Sequence, residues 1–476
     1  MPFSNDNDLD FEKRRPSVES KALRINLNPA MYGTFAEIGG GQEVARNFFR
    51  VGAASGTIAK TISAYDKNFS DDIYGEDDDG RYVTEVRLEK MLNHEMKLLE
   101  DRISRDSSPD KLFFTYANTV ATIDFAKKYK GHGWMGVRFQ TKPNEEYSDI
   151  ILHVRFHQTN AKLQQEDLGI IGVNLIYGAF YKNSKPKNLV KYLYDHIDKE
   201  SIEIDTINFK GPLFKKIDNR LMSLELVKNN MTEAVMFDSN GNNILPARIL
   251  YKKNILALRG SFRPVTKVNI DMFEKSYEVF TREADVDESK SEVIFEITLS
   301  NLMGQGEIDE SDFMDRAKLL CSLGHTVMIS NFKEYYKLVD YFSNYTKKQL
   351  GLTMGVNNFV EIFNEDYYKD IDGGILEAFG KMFHNKVKVY LYPISNNDGQ
   401  IINSTNLKLH PRMKDFYKFF KYNNKVIDLF DFEEKYLEIF SRDILKKIKN
   451  GEKDWTNKLP EGISEMIIKN KMFGYK

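Results

Sequence analysis

The residues best suited to chemistry lie between Asn254 and Phe280, in the stretch NILALRGSFRPVTKVNIDMFEKSYEVF. A short apolar run, Ile255 to Leu258, reads as a strand. Gly260-Ser261-Phe262-Arg263-Pro264-Val265-Thr266 comes next as a turn, and Ile270, Phe273, Tyr277 and Phe280 then recur at helical spacing. Strand, turn and helix in this order form a phosphate-sized cradle. Gly260 has no Cβ to hold a ligand off the backbone, Pro264 stiffens the turn, and the N–H groups opening the helix favour an anion. The chemistry this predicts is the holding of a nucleotide phosphate.

Other candidates have the right residue types at the wrong spacing. Gly39-Gly40-Gly41 runs into Glu43 to Phe49, where Val44, Ala45, Phe48 and Phe49 fit one helix face. It lacks the spacing of a dinucleotide or Walker loop and reads as a turn into a helix. In Gly52 to Thr61, GAASGTIAKT, Lys60 stands four residues past Gly56, whereas a P-loop needs the two adjacent. His153 and His157 have helical metal-ligand spacing, but the alternation around them predicts a strand. That puts them about 13 Å apart, too far to share a metal. Gly131-His132-Gly133-Trp134 reads as a structural turn, and the acidic run Asp71 to Asp79 as a solvated loop without the closing Glu of an EF-hand. A single cysteine, Cys321, falls on the apolar face of its helix and reads as a core thiol. One cysteine and eight scattered histidines exclude a disulfide framework and a cysteine-rich zinc site, so no metal centre is expected.

The elements that must position the turn can be read from periodicity. Residues 1–25 are polar and read as a disordered arm. Arg81 to Arg102 reads as an amphipathic helix, and LFFTYANTVATID, MGVRFQ, DIILHVRFH and IIGVNLIYGAFY between Leu112 and Tyr181 read as strands. Asn188 to Ile197 resumes a helix and Ile202 to Phe209 a strand. Ala234 to Phe237 is expected to form a hairpin with Ala247 to Tyr251 across Asp238-Ser239-Asn240-Gly241. Residues 26–245 thus make a mixed α/β domain without a convergent catalytic set, suited to self-association or partner contacts. In residues 246–476, Val293 to Leu299, Thr326 to Ser330 and Val387 to Tyr392 read as strands alternating with helices such as Asp312 to Leu323. This is the pattern of a parallel sheet with ligands at its carboxyl edge. A chain of 476 residues, 41% hydrophobic, has ample material for two such domains. With 68 Lys+Arg against 70 Asp+Glu, the net charge of -2 gives no global pull toward nucleic acid or an acidic membrane. The longest apolar stretch, Leu168 to Tyr181, is too short to span a bilayer, and the first residues lack a signal-peptide pattern, so the expected location is the cytoplasm.

The turn closely resembles the signature of nicotinamide or nicotinate mononucleotide adenylyltransferases, G-S-F-x-P-[IV]-T-x-x-H, matching at Gly260, Ser261, Phe262, Pro264, Val265 and Thr266. Asn269 stands where that family has a phosphate-binding histidine. Near the C-terminus, IFSRDILKKIKNGEKDWTNKLPEGISEMIIKNKMFGY is similar to the family's I-S-S-T-x-I-R helix start and to the Gly, Leu/Val-Pro and closing helix beyond it, at Ser441, Ile444, Gly451, Leu459 and Pro460. Leu445 occupies the slot of the ATP-phosphate arginine. Over its full length the chain also resembles a bacterial family often given an adenylyltransferase name. The resemblance implies a Rossmann-like nucleotidyltransferase domain over 246–476 that uses ATP with Mg²⁺ and a pyridine mononucleotide to make a dinucleotide and pyrophosphate, a step of NAD biosynthesis. It implies nucleotide contacts from Gly260, Ser261 and Phe262, phosphate-facing roles for Thr266 and Asn269, and a grip on the far phosphates by Ser441 with Arg442 or Lys446. Both departures remove a group able to carry positive charge, so the alternative is a non-catalytic assembly protein built on the same scaffold.

Overall fold

The computed structural model describes residues 15–77, 80–106, 108–303, 307–384, 386–396 and 398–476. The chain divides into two compact units, Met1–Thr232 and Glu233–Lys476. Most of the expected arm, residues 1–14, and the end of the acidic run, Asp78 and Asp79, lie outside the described residues. The rest of the arm is corrected, since Val18–Asn26 is a helix. Val18, Ala22 and Ile25 bury one face of it, and the buried Lys21 ammonium donates to Asn174 Oδ1 at 2.8 Å and Asp195 Oδ2 at 3.0 Å.

The first unit is built on a six-stranded mixed sheet of β1 (Met31–Ile38), β2 (Ile58–Ile62), β3 (Leu112–Ala121), β4 (His132–Phe139), β5 (Ser148–Phe156) and β6 (Ile202–Lys210), in the order β2-β1-β3-β4-β5-β6. β1 runs parallel to both β2 and β3, and the remaining pairs are antiparallel. Alternation along β4 sends Gly136 to one face, under Leu88 and Leu92 of the helix Glu85–Arg102. Phe139 goes to the other, where its ring meets Phe180 of the helix Ala161–Tyr181. That second helix corrects the expected strand over IIGVNLIYGAFY. It is apolar nearly all round because it is buried nearly all round, and a short apolar run has no period to separate helix from strand. No helix among the described residues is long and apolar enough to cross a membrane.

The second unit carries an eight-stranded sheet. Its strands are β7 (Ala234–Phe237), β8 (Asn243–Ile244), β9 (Asn254–Arg259), β10 (Ser291–Thr298), β11 (Thr326–Ser330), β12 (Leu350–Gly355), β13 (Val387–Tyr392) and, beyond a small ribbon of β14 (Ile394–Ser395) and β15 (Ile401–Ile402), β16 (Val426–Asp428). The spatial order is β16-β13-β12-β9-β10-β11-β7-β8. The six strands from β16 to β11 are parallel, and counted from β9 in chain order they read 6-5-4-1-2-3 across the sheet, the doubly wound Rossmann arrangement. One face packs Ile255, Ala257, Leu352 and Val389 against the helices Tyr335–Ser343, Gly374–Met382 and Lys414–Tyr422. The other packs Leu256 and Tyr390 against Phe280 of the helix Lys267–Thr281. The unit boundary falls before residue 245 because β7 pairs antiparallel with β11 and so belongs to this sheet. The hairpin partner of β7 is β8 and not the expected Ala247 to Tyr251, because Pro246–Leu250 is a short helix.

One buried carboxyl group in the first unit ties its stability to pH. Glu37, at the end of β1, accepts from the N–H groups of Val44 (3.2 Å) and Ala45 (2.9 Å) and from Asn118 Nδ2 (3.2 Å). Burial nevertheless dominates and raises its pKa to about 7. The folded protein therefore holds this proton more tightly than the unfolded chain, in which a Glu titrates at about 4.5. The stability this contributes is complete below about pH 4.5 and is lost as pH rises through about 7, on the order of 3 kcal/mol in all. Urea unfolding of wild type and Glu37→Gln across that range should show the wild type losing this much relative to the variant; parallel curves would contradict the assignment.

Candidate active site

A cleft of about 440 Å³ opens at the carboxyl edge of the second unit's parallel sheet. Each of the four central strands contributes to it through the residues that end or follow it. Arg259, Gly260 and Ser261 come from β9, Thr298, Ser300 and Asn301 from β10, Lys333, Glu334 and Tyr335 from β11, and Asn358 and Glu361 from β12, with Tyr367 and Tyr368 at its side. β9 and β12 are neighbours whose connections leave in opposite directions, so the cleft sits at the reversal of strand order where open α/β sheets hold ligands.

A buried ion pair forms the floor. Arg259 and Glu296 stand opposite one another in the β9–β10 register. The guanidinium donates twice to the carboxylate, at 2.8 and 3.0 Å, and once to the Lys333 carbonyl at 3.1 Å, with its plane 4.3 Å from the Tyr335 ring centroid. Burial works against its charge, but the Glu296 carboxylate outweighs that and holds its pKa above the usual arginine value. Ser330, ending β11, donates to Glu296 at 2.6 Å, so one carboxylate joins three adjacent strands.

A second arginine ties the loops together. Arg316, on the helix Glu310–Ser322, donates to the Ser261 carbonyl at 3.0 Å and the Asn301 carbonyl at 2.7 Å, binding the loop after β9 to the loop after β10. Asp312 one turn earlier pairs with both Arg316 and Arg263 of the turn. Burial pulls the Arg316 pKa below its ordinary value, with the Asp312 carboxylate acting in the opposite direction.

The residues singled out from sequence fall into three groups. Gly260 and Ser261 line the cleft. Phe262, Thr266 and Asn269 are instead occupied within the fold. The Phe262 ring is buried against Phe295, centroids 5.4 Å apart, and fills the space beside Gly260. Thr266 is the N-cap of the helix Lys267–Thr281, and its N–H and hydroxyl both donate to Asn269 Oδ1, at 2.9 and 3.0 Å. Asn269 Oδ1 thus satisfies the helix start, and neither Thr266 nor Asn269 is among the residues that line the cleft. Ser441, Arg442 and Lys446 open the helix Ser441–Asn450 and do not line the cleft. Arg442 is exposed over the Phe440 ring and Lys446 lies 3.9 Å from Asp443, so the expected grip is not assembled here. The sequence reading missed Arg259, Glu296, Lys333 and Asn358. The available signal was a charge inside each of two apolar strands, NILALR and VIFEITL, where only mutual pairing makes burial tolerable.

No family model matches the chain and no curated protein does. Among solved structures, it is similar to the competence/damage inducible protein CihA of Agrobacterium tumefaciens at 14% identity, over 33% of this chain and 93% of that one, with a TM-score of 0.24. A CinA superfamily protein of Klebsiella pneumoniae matches at 9% identity over 34% and 93% with a TM-score of 0.25, and one of Enterobacter cloacae at 11% over 34% and 92% with a TM-score of 0.24.

The packing around Gly260 has a direct consequence. A Cβ at this position would stand 2.9 Å from Phe262 Cζ and 3.0 Å from Cε1, closer than side chains tolerate, and the buried ring has little room to retreat. Gly260→Ala should destabilise the second unit by about 1–3 kcal/mol in urea unfolding. Phe262→Leu should relieve most of this added cost in a double-mutant cycle, and additive effects would show that the ring is not what excludes a side chain.

Proposed function

We propose that the second unit binds a nucleotide at the carboxyl edge of its sheet, as a relative of the pyridine-mononucleotide adenylyltransferases in which adenylyl transfer is lost. The observation that carries this reading is the position of the G-S-F-R-P-V-T turn. It follows the first parallel strand of a 3-2-1-4-5-6 sheet and opens a cleft at the strand-order reversal. Ser261, Ser300, Asn301 and Asn358 offer hydrogen bonds to a sugar, base or phosphate, and Tyr335, Tyr367 and Tyr368 offer ring surface. Lys333 is exposed at the rim and supplies positive charge.

Loss of transfer rests on how the remaining charges are used. Arg259 is committed to Glu296 and Arg263 to Asp312, while Asn269 is committed to the helix cap. Transfer between ATP and a mononucleotide needs positive charge along the triphosphate, and Mg²⁺ would supply part of it. Of the carboxylates at the cleft, Glu334 is paired with Lys337 at 2.9 Å and Glu361 accepts from Tyr367 at 2.6 Å. Among the described residues no group of three metal-ligating side chains converges, so Mg²⁺ would enter held by the phosphates. The same commitments favour the scaffold reading, in which a bound nucleotide steadies the fold or reports occupancy.

Titration calorimetry of the full chain with ATP·Mg²⁺, nicotinamide mononucleotide and the dinucleotide tests this directly. At least one should bind, Lys333→Ala and Asn358→Ala should each weaken it about five-fold or more, and pyrophosphate release should stay at background. The absence of heat from all three ligands would retire nucleotide binding, and turnover would retire the loss of transfer.

A further inference from the structure

The first unit holds a relay of titratable side chains that has no part in the nucleotide cleft. On three adjacent strands, Asp205 of β6, His153 of β5 and His132 of β4 form one continuous chain. Asp205 Oδ1 lies 2.7 Å from His153 Nδ1, and His153 Nε2 lies 3.1 Å from His132 Nδ1. Strand pairing alone would not produce it. His153 pairs with Thr206 and Val154 with Ile204, so Asp205 is an extra residue on β6, and this bulge turns its side chain toward His153.

The donors and acceptors fix the direction of the chain. A carboxyl oxygen accepts from His153 Nδ1–H, which leaves Nε2 of that ring as an acceptor for His132 Nδ1–H. His132 Nε2 is then left with a lone pair. The inner two members are almost wholly buried, their side chains 2% exposed, while His132 is only partly buried. The Trp134 ring, centroid 5.0 Å from that of His153, closes one side.

The position of His132 is equally specific. β1 lies between β2 and β3, both parallel to it, so strand order reverses at β1. A Cβ at Gly39, just past β1, would stand 2.0 Å from the Val120 carbonyl oxygen, and one at Gly133 would stand 2.5 Å from the Val120 side chain. The glycine turn and the start of β4 therefore meet at one residue of β3, with His132 paired to the next, Ala121.

We propose that this edge of the first unit is an active site in which His132 Nε2 is the general base and His153 and Asp205 are its positioning residues, acting on water or the hydroxyl group of a small polar substrate. The Nε2 lone pair takes the proton as the O–H bond breaks, leaving an oxyanion nucleophile. The imidazolium formed is stabilised through His153 by Asp205. The charged groups facing His132 are His153 and Arg155 of β5 and Arg81 ahead of the helix Glu85–Arg102. Burial, with smaller effects from these three, lowers its pKa to about 4, so it carries no proton at neutral pH.

Carbethoxylation by diethyl pyrocarbonate, followed residue by residue with mass spectrometry in the full chain, reads this base without knowledge of the substrate. The reagent transfers its ethoxycarbonyl group to an unprotonated ring nitrogen and releases ethanol and carbon dioxide. His132 should react at pH 5.5 within about two-fold of its rate at pH 7.5, whereas N-acetylhistidine, with an ordinary pKa, slows about ten-fold. Asp205→Asn can donate to His153 Nδ1 and reverse the chain, placing a hydrogen on His132 Nε2. It should slow His132 about ten-fold at pH 7.5 while circular dichroism stays unchanged. A merely structural relay would leave His132 unreactive in the native protein, or reacting at the same rate in Asp205→Asn as in the wild type, and either result overturns the proposal. Should Asp205→Asn fail to fold, His153→Phe, which breaks the chain between Asp205 and His132, takes its place with the same two readings.

Discussion

The bidentate pair of Arg259 and Glu296 is the constraint on which the cleft of the second unit depends. It sits where β9 ends, two residues before β10 and β11 end together, and it is joined to Ser330, the Lys333 carbonyl and the Tyr335 ring. Both side chains are nearly or wholly buried, so each requires the other, and removing one partner would leave a desolvated charge costing about 3–5 kcal/mol. The cleft above takes its depth from this floor and its width from Arg316, which holds the Ser261 and Asn301 loops together. An apolar floor would pack as well but would not orient the loop carbonyls, and those determine which side chains face the opening.

Charge used in this way is withdrawn from ligands. Arg259 and Arg263 flank the turn, yet both are neutralised inside the fold. The polar chemistry left to the cleft consists of hydroxyls, amides, aromatic rings, the carboxylates Glu334 and Glu361, and Lys333. The first unit applies the same economy differently. Two of its buried polar sets, Glu37 and the chain from Asp205 to His132, lie at the end of the sheet where the parallel strands terminate, and their hydrogen bonds run to backbone, to an amide or to one another.

How much of this was legible in the sequence depended on whether the deciding contact was local. β9, its turn and the helix Lys267–Thr281 were readable because apolar period, glycine and proline fall within one short stretch. β12 was not, since LGLTMG is short, glycine-bearing and flanked by no turn signal of its own. The helix Ala161–Tyr181 was mistaken for strand because burial on every side erases the amphipathic period. The relay was invisible for a different reason: His132, His153 and Asp205 are brought together by strand pairing and a bulge, and neither can be read from the spacing of histidines along the chain. Spacing set His153 apart from His157 along a strand, but it could not show what His153 does bond.

Asn269 illustrates how a local hydrogen bond can account for a residue in a motif-like turn. The residue three places beyond a helix N-cap is where a side chain can reach back to the cap, and Asn there accepts from both the N–H and the hydroxyl of Thr266. That local duty fixes where the helix starts and hence the path of Gly260 to Val265, whatever ligand the turn meets. A histidine at the same position could accept from the cap through one ring nitrogen and keep the other for a phosphate, whereas Asn269 spends its one carbonyl oxygen on the cap. The turn's shape is therefore secured by hydrogen bonds within the chain, while its affinity for phosphate must come from groups outside the motif. Resemblance at Gly260, Ser261, Phe262, Pro264, Val265 and Thr266 accordingly speaks for the geometry of the site, and the commitments of Arg259, Arg263 and Asn269 decide what that geometry can do.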